Sequence, residues 1–169
     1  MKKILFNDKF QLTRLVLTER KTMTRRVLKG NTQKQPYKVG EIVAIAQRYK
    51  ELYPNADFEM VGNGFMTESA GWNNKMFVRA NLMPHHIKIT DVKVERLQDI
   101  SDEDIMREGV WQYYDNEDMF YVSKYIGYTP TVAFTSAREA FWYLIDKISG
   151  NGTWESNPWV VAYSFELVD

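Results

Sequence analysis

The segment Glu19-Arg20-Lys21-Thr22-Met23-Thr24-Arg25-Arg26-Val27-Leu28 places four cations and two threonines in ten positions. Threonine and valine favour extended backbone, so Lys21 to Leu28 reads as a strand. Strand alternation then puts Thr22, Thr24 and Arg26 on one face and Met23, Arg25 and Val27 on the other. Upstream, Asn7 offers a cap to a helix over 8–19. Leu12, Leu15, Val16 and Glu19 recur there at i, i+3, i+4 and i+7, and the three apolar ones give it an inward face. A packed helix running into a cationic strand makes Lys21 to Arg26 the place to look for a working site.

Further along, residues 2–6 read as a short buried strand; Met1-Lys2-Lys3 begins like a secretory leader but lacks the apolar run and small-residue cleavage site. Lys29 to Lys38 is a polar loop with Gly30 and Pro36. Strands are expected over 42–48, 76–80, 86–97 and 159–167. Residues 50–75, punctuated by Pro54, Gly62, Gly64 and Gly71, read as an irregular insertion, as does the aromatic segment 111–131. Ser101 followed by three acids opens a short helix that Gly109 ends. Ser136 with Glu139 forms a capping box before Ala137, Ala140, Phe141, Leu144, Ile145 and Ile148 at helical spacing. Five or six short mixed or antiparallel strands with two or three flanking helices define an α+β class, a small barrel in one domain over 1–169.

The 169 residues carry 44% hydrophobic and 14% aromatic side chains, enough for a packed core. No apolar run is long enough for a membrane span. Without cysteine there is no disulfide, thiol nucleophile or thiolate metal site, which suits a reducing cytoplasm. Net charge is zero, yet residues 1–50 carry +10 and residues 51–169 carry −10. The basic first third suits an anionic partner such as nucleic acid, or the halves neutralise each other in the fold. His85 and His86 are adjacent and point to opposite faces of a strand, so no metal site is expected, and no glycine-rich loop signals a nucleotide cofactor.

Lys21, Thr24 and Arg26 fill the last three positions of a pattern written roughly G-x-K-x-x-(E/T)-x-R, which resembles the ASCH family signature; Glu19 stands where that family usually has glycine. Pro36-Tyr37-Lys38-Val39-Gly40-Glu41-Ile42 resembles its turn into the second barrel strand. Ile89 to Ser101, Glu108-Gly109-Val110, Phe141 to Leu144 and Trp154 to Val160 are similar to stretches of prophage-type ASCH proteins. The resemblance implies a PUA-like β-barrel and a ligand that is RNA or a modified nucleoside. Some small members remove the acetyl group of N4-acetylcytidine with a threonine, a lysine and a glutamate, which would here be Thr24 as nucleophile, Lys21 as base and Glu108 as acid/base.

A threonine hydroxyl needs a base beside it, and a lysine serves if burial or neighbouring cations lower its pKa. Arg20, Arg25 and Arg26 flank Lys21, while Glu19 brings an opposing negative charge. Arg26 suits a carbonyl or phosphate, and Trp154 in its loop is a candidate rim residue. Three functions follow: binding of RNA or a modified nucleoside through Lys21, Thr24, Arg26 and Glu108, with Arg20, Arg25 and Trp154 as further ligand-binding residues; metal-independent hydrolysis of an N-acylated pyrimidine nucleoside; or a protein-docking role for 111–131.

Overall fold

The computed structural model describes residues 1–30, 36–124 and 131–169. Residues 31–35 of the expected polar loop, and Tyr125 and Tyr128 of the aromatic segment, lie outside the described residues.

β1 (Lys3–Ile4) is the first strand. Asn7 caps as its sequence position predicts, its Oδ1 accepting from the Lys9 amide, but over a single 3-10 turn, Asp8–Phe10. Gln11 then adopts left-handed backbone (φ 56°), which interrupts the helix expected over 8–19. The remaining helix, α1, spans Leu12–Leu17, and its Leu12, Leu15 and Val16 are buried as their spacing requires. β2 (Met23–Val27), β3 (Ile42–Ile45) and a one-turn α2 (Tyr49–Leu52) follow. β4 (Met60–Val61) and β5 (Gly64–Phe65) pair antiparallel in a minimal hairpin.

The strand expected over 76–80 does not form. Two 3-10 turns, Lys75–Phe77 and Ala80–Leu82, stand there instead. The Asn74 side chain accepts from the Met76 amide, and Lys3 Nζ donates to the carbonyls of Met76 and Val78, each at 2.6 Å. Side chains thus take the backbone groups that strand pairing would have used.

β6 (His86–Arg96) is the longest strand. Ser101 caps α3 (Asp102–Arg107) by accepting from the Asp104 amide, and three acids occupy its first turn. The aromatic segment is not irregular: β7 (Trp111–Tyr113), β8 (Asn116–Ser123) and β9 (Thr131–Phe134) form an antiparallel three-stranded sheet. α4 (Ala137–Ser149) carries the expected Ser136 cap and buries Ala137, Ala140, Phe141, Leu144 and Ile145. α5 (Thr153–Ser156) and β10 (Trp159–Leu167) complete the elements.

The chain divides into two compact units. The first holds residues 1–6, 42–87 and 168–169. Its core is Ala44, Ala46, Tyr49, Ala56, Met66, Val78 and Met83. Tyr49 is fully buried, its hydroxyl accepts from the Arg79 amide, and Gly71 lies so close to its ring that an added Cβ would come within 2.4 Å of Cε2. The second unit holds residues 7–41 and 88–167, including α1, α3, α4 and the β7–β9 sheet. β1 pairs in parallel with β3, and β10 pairs antiparallel with β2. With β6 between, the strand order is β1-β3-β6-β10-β2, a five-stranded mixed sheet in an α+β fold. Among the described residues no helix is long and apolar enough to cross a membrane.

Candidate functional site

The approach to β2 is fixed by backbone bonds at the end of α1. The amides of Arg20 and Lys21 both donate to the Leu15 carbonyl, and that of Glu19 to the Val16 carbonyl. This helix ending needs left-handed backbone at the residue past the last turn, and Glu19 supplies it at φ 59°. Glycine adopts that conformation without steric cost, and Glu19 adopts it with a Cβ. The Thr22 amide then donates to the Arg107 carbonyl at 2.9 Å, and Arg107 Nε donates to Thr22 Oγ1 at 3.1 Å, tying the start of β2 to the end of α3.

Lys21 and Glu108 meet. Lys21 is 2% exposed, and its Nζ donates to the Met23 carbonyl at 2.7 Å, the Glu108 carbonyl at 2.6 Å and Glu108 Oε2 at 3.0 Å. Glu108 caps the C-terminus of α3. The next residue, Gly109, has φ 116°, and an added Cβ there would sit 3.3 Å from both Leu12 Cδ2 and Leu15 Cδ1. The positive φ favours glycine here, and the Leu12 and Leu15 side chains of α1 leave little room for a Cβ beside Glu108.

Arg25 joins the same cluster from β2. Its Nη1 donates to Glu108 Oε1 at 3.0 Å, its Nη2 to Glu95 Oε1 at 2.6 Å and to Asp104 Oδ2 at 3.0 Å. Lys93 Nζ also reaches Asp104 Oδ2, at 3.2 Å. Burial pulls the Lys21 pKa down; Glu108 opposes this, Arg26 and Arg25 add to it, and the balance is a lowered value. Glu19, whose negative charge stands two positions from Lys21 in the sequence, is exposed. Burial also disfavours the Arg25 charge, but Glu108, Glu95 and Asp104 overcome it and raise its pKa.

The alternation predicted for β2 separates Arg25 from Thr24 and Arg26. Thr24 is buried and faces Tyr163 across the β2–β10 ladder, where Arg26 pairs with Val161. The Tyr37 ring meets the Tyr163 ring edge-on at 5.3 Å. Tyr163 is fully buried, and its hydroxyl has no well-aligned hydrogen-bond partner among the described residues, although the Tyr37 backbone lies near enough to act on it as a donor. Burial raises both tyrosine pKa values; the Tyr37 backbone opposes this at Tyr163, Arg26 opposes it at each ring, and Glu41 reinforces it. Arg26 itself is exposed and Tyr37 half-buried. The structure thus brings Lys21, Arg25 and Glu108 together, and none of the described hydrogen bonds joins the Thr24 hydroxyl to them.

The other sequence candidates are dispersed. Arg20 is exposed and lines a separate pocket with Arg14 and Trp111. Trp154 is 8% exposed; it stacks on Trp142 at 6.4 Å, meets Phe141 edge-on, and carries the Arg138 guanidinium 5.0 Å above its ring. His85 and His86 Nδ1 atoms lie 3.2 and 2.8 Å from the backbone oxygen and Oδ1 of Asp169. Among the described residues no group of three or more His, Asp or Glu is placed to hold a metal. Sequence reasoning missed Glu95, Asp104, Tyr37 and Tyr163. The only available signal was that a buried arginine on the Met23 face of a strand would require carboxylates opposite it.

No family model and no curated protein matches this chain. Among solved structures it is similar to protein EF3133 from Enterococcus faecalis V583, family-model DUF984, with a TM-score of 0.50 and 17% identity over 100% of this chain and 81% of that one. It is also similar to an ASCH domain from Lactobacillus crispatus JV V101, with a TM-score of 0.48 and 12% identity over 96% of this chain and 75% of that one. At such identities the likeness is one of fold.

Proposed function

We propose that this chain binds RNA or a modified nucleoside at β2, with Arg26 and Tyr37 meeting the ligand, Thr24 and Tyr163 behind them, and the Lys21–Glu108–Arg25 cluster holding the strand in place. The observation that carries this reading is the position of Arg26. It is exposed, it acts electrostatically on both tyrosine hydroxyls and on Lys21, and it stands on a strand whose opposite face is immobilised by ion pairs. A guanidinium beside an aromatic ring is suited to a phosphate or base carbonyl with a base packed alongside. The ASCH resemblance of the same segment supplies the ligand class.

Binding is favoured over hydrolysis by the state of Lys21. A general base needs a free lone pair on nitrogen, whereas Nζ here donates to three oxygens and is nearly closed to solvent. Titration at low salt with a panel of single-stranded RNAs and modified nucleosides, N4-acetylcytidine included, tests the reading. Saturable binding supports it, and no binding across the panel rejects it. Release of cytidine from N4-acetylcytidine, abolished by Thr24→Ala, would replace it with the amidohydrolase reading.

A further inference from the structure

A second polar and aromatic site is a concave pocket of about 500 Å³ whose lining includes Arg14, Arg20, Trp111, Tyr113 and Ser123. Its volume falls in the range that small-molecule sites occupy. Two rings, Trp111 and Tyr113, form one wall, and a third, Tyr121, supports them from behind. Trp111 stacks on Tyr121 with centroids 4.9 Å apart, and Tyr113 meets both edge-on at 4.9 and 5.0 Å. The Trp111 indole is held in place by its Nε1, which donates to Ser123 Oγ at 3.0 Å. Tyr121 backs the tryptophan without lining the pocket, so Trp111 and Tyr113 present the aromatic surface, and Tyr113 is 50% exposed.

The other wall is cationic. Arg14 and Arg20 are exposed, and neither guanidinium makes a hydrogen bond or ion pair within the described residues. No aspartate or glutamate lines the pocket; Asp115, Glu117 and Asp118 belong to the hairpin around the β7–β8 turn. A pre-oriented aromatic wall facing two unneutralised guanidiniums is complementary to a flat ring carrying an anion. Base stacking on aromatic side chains together with arginine–phosphate contact is how single-stranded nucleic acid is held without reading its sequence.

We infer that this pocket binds one phosphorylated nucleotide, its base stacked against Trp111 and Tyr113 and its phosphate held by Arg14 and Arg20, as a step along a single strand of RNA. The choice of RNA as the source rests on the function proposed above; the location of the site does not. Arg14, Arg20 and Tyr113 are solvent-facing, so their substitution leaves the core intact.

The test follows the Trp111 indole N–H by NMR, assigned by its loss in Trp111→Phe, as a uridine decamer or free uridine 5′-monophosphate is added. Movement of that signal with the decamer, with at least a tenfold loss of affinity in Arg14→Ala/Arg20→Ala and in Tyr113→Ala, is the expected result. Movement with the mononucleotide but not the decamer keeps the pocket and overturns RNA as the source. A signal that neither ligand moves overturns the pocket. If the decamer still binds in an Arg26-dependent way while that signal stays still, the β2 reading stands alone.

Discussion

Lys21 Nζ lies 3.0 Å from Glu108 Oε2, although the two residues are 87 positions apart in the chain and both side chains are almost wholly buried. Two desolvated charges are tolerated because each has further partners: Lys21 the carbonyls of Met23 and Glu108, and Glu108 the Arg25 guanidinium. Removing one member of such a pair leaves the other uncompensated. Glu108→Ala strips both Lys21 and Arg25 of a carboxylate, so its expected cost is about 3–5 kcal/mol. Lys21→Met leaves Glu108 paired to Arg25 and costs less. Urea unfolding midpoints of the two variants give the comparison, and a larger loss in Lys21→Met would contradict this account.

Glu19 occupies left-handed backbone at the end of α1, with its side chain exposed. Glu19→Gly relieves a conformational cost of about 1 kcal/mol, partly offset by the greater freedom of glycine in the unfolded chain. A modest rise in the unfolding midpoint is expected, with the Lys21–Glu108 pair unaffected. A clear fall would mean that Glu19 makes a stabilising contact.

Asp104 gives the fold a defined acid sensitivity. Burial alone would raise its pKa, but hydrogen bonds from Arg25 and Lys93 outweigh that and hold it below its ordinary value of 3.8. The folded state therefore binds this proton less readily than the unfolded one. The contribution is complete above 3.8 and is lost as pH falls below that value through the folded-state pKa. Unfolding free energy measured from neutral pH down to about pH 2 should fall less steeply in Asp104→Asn than in the parent. Parallel acid limbs would remove Asp104 from the explanation.

Much of this was legible locally, and what was not depended on distant partners. The Ser136 cap and the Ala140-Phe141-Leu144-Ile145 face of α4 are set by neighbours within one or two turns, and they appear where the spacing puts them. The alternation of β2 likewise separates Arg25 from Thr24 and Arg26. Gln11 defeated the long first helix because one left-handed residue outweighs a correct apolar pattern. Lys3, more than seventy positions away, turned the expected strand at 76–80 into turns by taking its carbonyls. β7 and β8 were concealed by the polar residues that follow their Tyr114-Asp115 turn, although Trp111, Tyr113, Phe120 and Tyr121 have strong strand preference. The three carboxylates around Arg25, and the Tyr37–Tyr163 contact, needed pairing that no local pattern encodes.

Tyr163 offers a test of the second β2 face that needs no ligand. A buried hydroxyl without a well-aligned partner costs up to about 1–3 kcal/mol, and phenylalanine has the same shape without it. Tyr163→Phe is expected to leave the unfolding midpoint unchanged or raise it. A loss of more than about 1 kcal/mol would show the hydroxyl to be bonded in solution.

The central claim is that the exposed guanidinium of β2 meets an anionic nucleic-acid ligand, and the salt dependence of binding addresses it directly. Affinity for a single-stranded RNA, measured across a series of salt concentrations, should fall in Arg26→Ala, and the slope of log affinity against log salt should become shallower by about 0.7, the loss of one phosphate contact on a single strand. An Arg26→Ala variant with the parent's affinity and the parent's slope would contradict the account.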